Sequence, residues 1–228
     1  MRKRITEQQL NKLIEILKKT FINYSEPGGG RGYRFSHSVR VMKYCANFLK
    51  TPFFKKLKLN KDKVLVAALF HDIGKIKAAT ANKEIQYNSW GNKYHEKIGA
   101  FIADRYIKKV IKDINFRREI SKIIEDLKEK EPQSPETRLI RDADSLDNYG
   151  VIKIWRTVIY AQYENRQIDR VYEYWEKEGR KEAKKELSYF YFPPLKALAM
   201  RRFHKLDKLI KEIKIENLGK DIIKKTKN

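Results

Sequence analysis

"VLVAALFHDIGK", residues Val64 to Lys75, is the stretch whose reading decides the fold. Its seven consecutive apolar residues, Val64 to Phe70, leave no polar face, so the segment predicts a helix buried on nearly every side. The same run then carries His71 and Asp72, side by side, towards the interior, and Gly74 just beyond them marks a bend or an end. Burying an unsatisfied polar group costs ~2–7 kcal/mol, so these two side chains need partners. Either they are paired locally at the helix end, or they hold a cation.

Outward from this stretch the pattern is helical. "TEQQLNKLIEILKKTF" (Thr6 to Phe21) opens with Thr6 and Gln9 in capping-box spacing and sets Leu10, Leu13, Ile14 and Leu17 on one face. "EPGGGRGYR" (Glu26 to Arg34) breaks the periodicity and predicts a mobile or sharply turned loop. A second helix is expected over "SHSVRVMKYCANFLK", stopped by Pro52. "YHEKIGAFIADRYIKKVI" and "RREISKIIEDLKEK" are amphipathic. "SPETRLIRDADSL" begins with Ser134 as a cap, Pro135 at the first helical position and Glu136 at the positive end of the dipole. No strand alternation, internal repeat or low-complexity linker interrupts the series. The chain therefore reads as all-α, with a first portion over 1–165 and a basic helical extension over 166–228 that is expected to pack on it.

Composition narrows the class of partner. Among 228 residues, 52 are basic and 29 acidic, a formal charge of +23, which attracts polyanions such as nucleotides, nucleic acid or anionic lipid. Many lysines alternate with glutamates, as on a solvated helix surface. The single cysteine, Cys45, excludes an intramolecular disulfide and a cysteine-built zinc cluster, and it reads as a small buried apolar residue. The N-terminus lacks the apolar segment of a signal peptide, and no stretch has the length of a membrane span, so a cytoplasmic protein without membrane contact is expected.

The candidate chemistry is sparse. There are four histidines, His37, His71, His95 and His204, and "RDADSLDNYG" (Arg141 to Gly150) adds Asp142, Asp144 and Asp147. Imidazoles and carboxylates without thiolates suit Mn, Fe, Co, Ni or Mg better than structural zinc. The aspartates do not make a calcium loop, since Leu146 and Asp147 stand where that motif needs an acidic residue and glycine. His204 has no motif around it and reads as structural.

Four stretches together, "RFSHSVRVM", "LVAALFHDIGK", "HEKIGAFIA" and "LIRDADSLDNYG", resemble the HD-superfamily metal-dependent phosphohydrolases in content and order, over roughly Arg34 to Ile159. The resemblance implies an HD-domain helical bundle with additional C-terminal helices. It makes His37, His71, Asp72 and Asp144 the metal ligands, with Asp144 matching because the family's ligand directly precedes the "x-L" step; Asp142 is the alternative. Members with two metals carry a further histidine before the last aspartate segment. "EISKIIEDLKEKEPQS" has none, so one divalent ion is expected, with His95 as a substrate contact, a proton donor or an outer group.

The same resemblance gives Lys75 and Asp72 catalytic roles. Arg31 and Arg34 lie beside the glycine loop and just before His37, where they can grip a phosphate bidentately. The resemblance sets Asn148 and Tyr149 to touch sugar or base. The implied activity is hydrolysis of a phosphate ester of a nucleotide or related small molecule. The other reading is a nucleotide-sensing or nucleic-acid-binding HD protein with little catalysis, in which "RVYEYWEKEGRKEAKK" (Arg170 to Lys185) stacks on bases. That stretch is read more simply as a charged helix with a Tyr-Trp core stripe.

Overall fold

A computed structural model describes residues 4–222. The fold is all-α: among the described residues the only β pairing is two isolated bridges, Ser25 with Glu84 and Ala79 with Ile85. No described helix is long and apolar enough to cross a membrane. The chain divides into two compact units, Met1–Asp144 and Ser145–Asn228. This division falls about twenty residues ahead of the break expected near Asn165. The reason is that the helix Val151–Tyr163, α9, packs against the helices that follow it, Asp169–Tyr174 (α10) and Pro193–Asn217 (α12).

In the N-terminal unit the order is α1 (Glu7–Phe21), α2 (Tyr33–Phe48), α3 (Pro52–Lys56), α4 (Lys61–Phe70), α5 (Trp90–Lys93), α6 (His95–Ile107), α7 (Ile114–Glu125) and α8 (Pro135–Ser145). The capping box of α1 is complete: Gln9 N–H donates to Thr6 Oγ1 at 3.1 Å and Thr6 N–H donates to Gln9 Oε1 at 3.0 Å. Ser134 caps α8 by accepting from Thr137 N–H at 3.2 Å.

The centre of the unit is α4. Every residue from Val64 to Phe70 is buried, against α1, α2 and α7. At ~1.5–3 kcal/mol for each fully buried large apolar side chain, this helix supplies a large part of the unit's stability. Its last residue is Phe70; His71 and Asp72 lead directly into a 3-10 turn, Ile73–Ala78. Gly74 is required there by close approach: a Cβ at this position would lie 1.9 Å from the carbonyl oxygen of His95. The glycine lets the start of α6 sit on the turn that follows α4, and so places His95 beside Asp72.

The C-terminal unit holds α9, α10, a five-residue π-helical turn Trp175–Gly179, α11 (Arg180–Glu186) and α12. Val171, Tyr172 and Trp175 are buried, and Trp175 Nε1 donates to Asp207 Oδ1 at 2.9 Å. The "RVYEYWEKEG" stretch thus carries a core stripe of Val171, Tyr172 and Trp175, with Tyr174 on its exposed side.

Candidate metal centre

Three elements of the N-terminal unit bring their polar side chains to one point. The second turn of α2 supplies His37, the end of α4 supplies His71 and Asp72, and the last turn of α8 supplies Asp144. His37, His71 and Asp72 are each 3% exposed, and they offer ligand atoms within 4.8 Å of one another. His37 Nε2 lies 3.2 Å from His71 Nε2, 3.4 Å from Asp72 Oδ2 and 3.0 Å from Asp144 Oδ1. His71 Nε2 lies 3.3 Å from Asp72 Oδ2 and 3.6 Å from Asp144 Oδ1. The side chain of Asp144 is about half exposed and forms the solvent side of the group.

This arrangement fits a metal ion. Ligands at right angles around an ion with bonds of ~2.1 Å stand ~3.0 Å apart, close to the spacings found here. The tautomer of His71 is set from behind: its Nδ1 donates to the carbonyl of Ala68 at 2.8 Å, which leaves Nε2 as a lone-pair donor facing the cluster. Without an ion, two imidazole Nε2 atoms would confront each other in a buried site. Burial opposes charging His71, but Asp72 beside it and Asp144 outweigh that effect and raise its pKa to about 10. Burial likewise opposes ionising Asp72, yet Lys75, Arg34 and His71 hold its carboxyl well below the ordinary carboxylate range. Asp144 is driven the same way: the desolvation of its inner oxygen is outweighed by bonds from His37 and His71. The site therefore demands positive charge between its carboxylates, and a divalent cation satisfies this without a proton on either Nε2.

Asp72 is also held from its other side. Its Oδ1 lies 3.1 Å from His95 Nε2 and 3.4 Å from Lys75 Nζ. His95 Nδ1 faces the carbonyl of Asn92 at 2.6 Å, so the ring spans a backbone acceptor and the central carboxylate. Arg34, on the first turn of α2, is 5% exposed and bonds Asp72 Oδ2. It also grips Glu26 in a fork, Nε to Oε2 at 2.9 Å and Nη2 to Oε1 at 2.7 Å. Its guanidinium is turned inward onto two carboxylates, away from the phosphate-gripping pose read from the sequence. Arg31 lies exposed on the loop.

Glu26 was not legible as a functional residue. It is 4% exposed, and burial opposes its ionisation, but Arg34 and Lys75 bring its pKa below the usual value. It turns the glycine loop into a tied-down structure, since its carbonyl also accepts from Gly29 and Gly30 N–H. No spacing rule marks a loop glutamate eight residues before an arginine as its buried partner.

Asn148 and Tyr149 belong to the C-terminal unit. Asn148 Oδ1 accepts from Arg156 at 3.3 Å. Tyr149, read as a sugar or base contact, is 1% exposed and donates its hydroxyl to the carbonyl of Ala183 at 3.0 Å. Asp142 is 2% exposed and stands outside the His37–His71–Asp72 group. His204 is exposed on α12 beside the ring of Phe203. Cys45 is buried, as read.

A family model, the HD domain, matches residues 34–149, just over half of the chain. The chain belongs to the HD-domain family. Solved structures share the fold of this HD-domain protein over most of its length. A HD-superfamily hydrolase from Bacillus thuringiensis is 18% identical, with a TM-score of 0.65, covering 92% of this chain and 97% of that one. A predicted HD-superfamily hydrolase from an uncultured Thermotogales bacterium is 23% identical, with a TM-score of 0.58, covering 91% and 92%. Bacillus subtilis YpgQ in complex with ADP is 15% identical, with a TM-score of 0.62, covering 92% and 95%. No curated protein matches the chain.

Proposed function

We propose that this HD-domain protein is a metal-dependent phosphohydrolase that cleaves a phosphate ester of a nucleotide or a related small phosphorylated molecule. The observation that carries the reading is the convergence of two buried imidazole Nε2 atoms and two carboxylates from α2, α4 and α8. His37, His71, Asp72 and Asp144 would hold one divalent cation, of the Mn, Fe, Co, Ni or Mg type given their nitrogen and oxygen donors. Such an ion supplies a water of lowered pKa and neutralises charge on a phosphate oxygen.

The remaining residues do the positioning and the proton work. Arg34 and Glu26 fix the orientation of Asp72, so that Oδ2 faces the two imidazoles. Lys75 carries its ammonium beside the centre, 3.4 Å from Asp72 Oδ1, where it can hold a phosphate oxygen. His95 presents Nε2 against Asp72 Oδ1, and a proton held there can pass to a leaving oxygen. A nucleotide substrate is supported by the net charge of +23 and by the ADP bound to the YpgQ neighbour.

The test is a phosphate-release screen. Nucleoside mono- and triphosphates, cyclic nucleotides and pyrophosphorylated guanosines are each offered with Mn, Mg, Co and Ni. Metal content is measured in parallel on the wild type, Asp72→Ala and Asp144→Ala. Metal-dependent release that both substitutions abolish, together with loss of bound metal, is the expected result. Bound metal with no release from any substrate above the Asp72→Ala blank would overturn the hydrolase reading.

A further inference from the structure

Helix α6 begins with His95 facing Asp72, and its opposite side is unusual. Tyr94, Lys97, Phe101, Arg105 and Lys108 follow one another at intervals of three and four, which sets them in a single row along the outside of the helix. All five are exposed, Phe101 by 62%. The inward side, with Gly99, Ile102, Ala103 and Ile107 buried, is already engaged with the rest of the unit. An aromatic stripe at helical spacing is ordinarily core; this one faces solvent.

The row is extended and reinforced at its N-terminal end. Trp90, 69% exposed, lies with its ring centroid 5.3 Å from that of Tyr94. The short helix that carries it is tightly seated: a Cβ on Gly91 would lie 2.2 Å from the carbonyl oxygen of Lys77, and Asn92 Nδ2 donates to the carbonyl of Tyr87 at 2.6 Å. Lys93 stands over the Tyr94 ring at 5.4 Å and Arg105 over the Phe101 ring at 4.4 Å. The two acidic side chains on α6 are paired with cations, Asp104 with Arg117 at 2.7 Å and Glu96 with Lys128 at 3.6 Å. What remains outward is three exposed aromatic side chains interleaved with cations, on a chain of charge +23.

We infer that the outer row of α6, continued by Trp90, is a docking track for single-stranded nucleic acid. Aromatic faces at intervals with cations between them match a polymer that alternates stackable bases with phosphates, and such stacking tolerates any sequence. Over the 13 residues of α6 the row runs about 18 Å, at ~1.5 Å per residue, enough for several unstacked nucleotides. A duplex hides its base faces and would not use the aromatic residues. The inference does not rest on the hydrolase reading.

The test is fluorescence anisotropy of labelled twelve-nucleotide oligo-dT and oligo-U, with the full chain in EDTA, so that binding is read without hydrolysis. Four cations, Lys93, Lys97, Arg105 and Lys108, at ~0.7 each for a single strand, give an expected slope of log K against log salt of about −3. Trp90→Ala and Phe101→Ala should each weaken binding by about 5- to 150-fold, the range for one lost stacking partner. Both residues are exposed, so the fold should survive, and circular dichroism checks this. Lys97→Gln with Arg105→Gln should make the slope about 1.4 shallower. The charge-matched control on α12, Lys205→Gln with Lys208→Gln, should change neither affinity nor slope. Equal effects of the two glutamine pairs, no effect of the aromatic substitutions, or equal affinity for duplex would each overturn the track in favour of diffuse attraction. Binding to phosphatidylserine vesicles without binding to either oligonucleotide would overturn it in favour of a lipid surface.

Discussion

Replacing Arg34 by methionine would test whether this residue organises the centre or only waits for a phosphate. Met fills a similar slim volume but removes the guanidinium from between Glu26 and Asp72, both of them nearly inaccessible to water. Breaking a buried ion pair from one side typically costs ~3–5 kcal/mol, because the charge left behind keeps its desolvation without its partner. Two carboxylates are left behind here, so the upper half of that range is expected. For a chain of this size each kcal/mol corresponds to about 2–4 °C, which predicts a fall in Tm of roughly 8–20 °C. The cause is isolated by adding Glu26→Gln. In the wild type that change breaks the Arg34 fork and should destabilise; in Arg34→Met it removes a stranded charge and should stabilise. Urea unfolding of the four proteins closes the cycle, with a coupling of several kcal/mol expected. A loss below 1 kcal/mol for Arg34→Met, or a Glu26→Gln effect of the same sign and size in both backgrounds, would refute the reasoning and return Arg34 to the pool of substrate contacts.

Two other outcomes follow from equally local observations. Gly74→Ala sets a Cβ into the backbone of His95, which no side-chain rotation relieves, so it should destabilise by ~1–3 kcal/mol or more in urea unfolding, while Gly99→Ala, whose Cβ would meet atoms at 3.2 Å and beyond, should be milder. Asp207 in the C-terminal unit is opposed by burial but held below its ordinary 3.8 by bonds from Trp175 and Lys211 and by Arg180. A folded value below the unfolded one means that its contribution is complete above about pH 4 and is lost as pH falls through the folded value. Asp207→Asn should therefore lower stability at pH 7 by roughly 1–3 kcal/mol and flatten the acid limb of the stability curve below about pH 4, read by urea midpoints across pH. An unchanged acid limb would show that the carboxylate is not shifted by folding.

Much of the N-terminal unit was legible because its signals are local. The capping box of Thr6 and Gln9, Ser134 before Pro135, and the unbroken apolar run of α4 each act within one or two helical turns, so they are written in adjacent residues. The second helix begins earlier than its pattern suggested, at Tyr33, because Arg34 is drawn into the interior by Glu26 and Asp72, and a basic residue at a helix start reads from sequence as surface. Tyr149 was undecidable from sequence for the converse reason. An aromatic residue five positions beyond Asp144 has no local mark that distinguishes a ligand contact from a core residue whose hydroxyl reaches the carbonyl of Ala183, 34 positions away.

The sequence by itself determined that the chain is helical, that α4 is its buried axis, and that His71 and Asp72 arrive in the interior as polar groups that need partners. These follow from hydrophobic periodicity and from the desolvation of polar groups, which are properties of short segments. Only the tertiary structure decided that His37 and Asp144 meet them at 3.2–3.6 Å, that Gly74 exists to admit the start of α6, and that Arg34 is held by a glutamate from the glycine loop. Those contacts join residues 8 to 73 positions apart. Helix packing sets their separation, and no pattern within a segment encodes it.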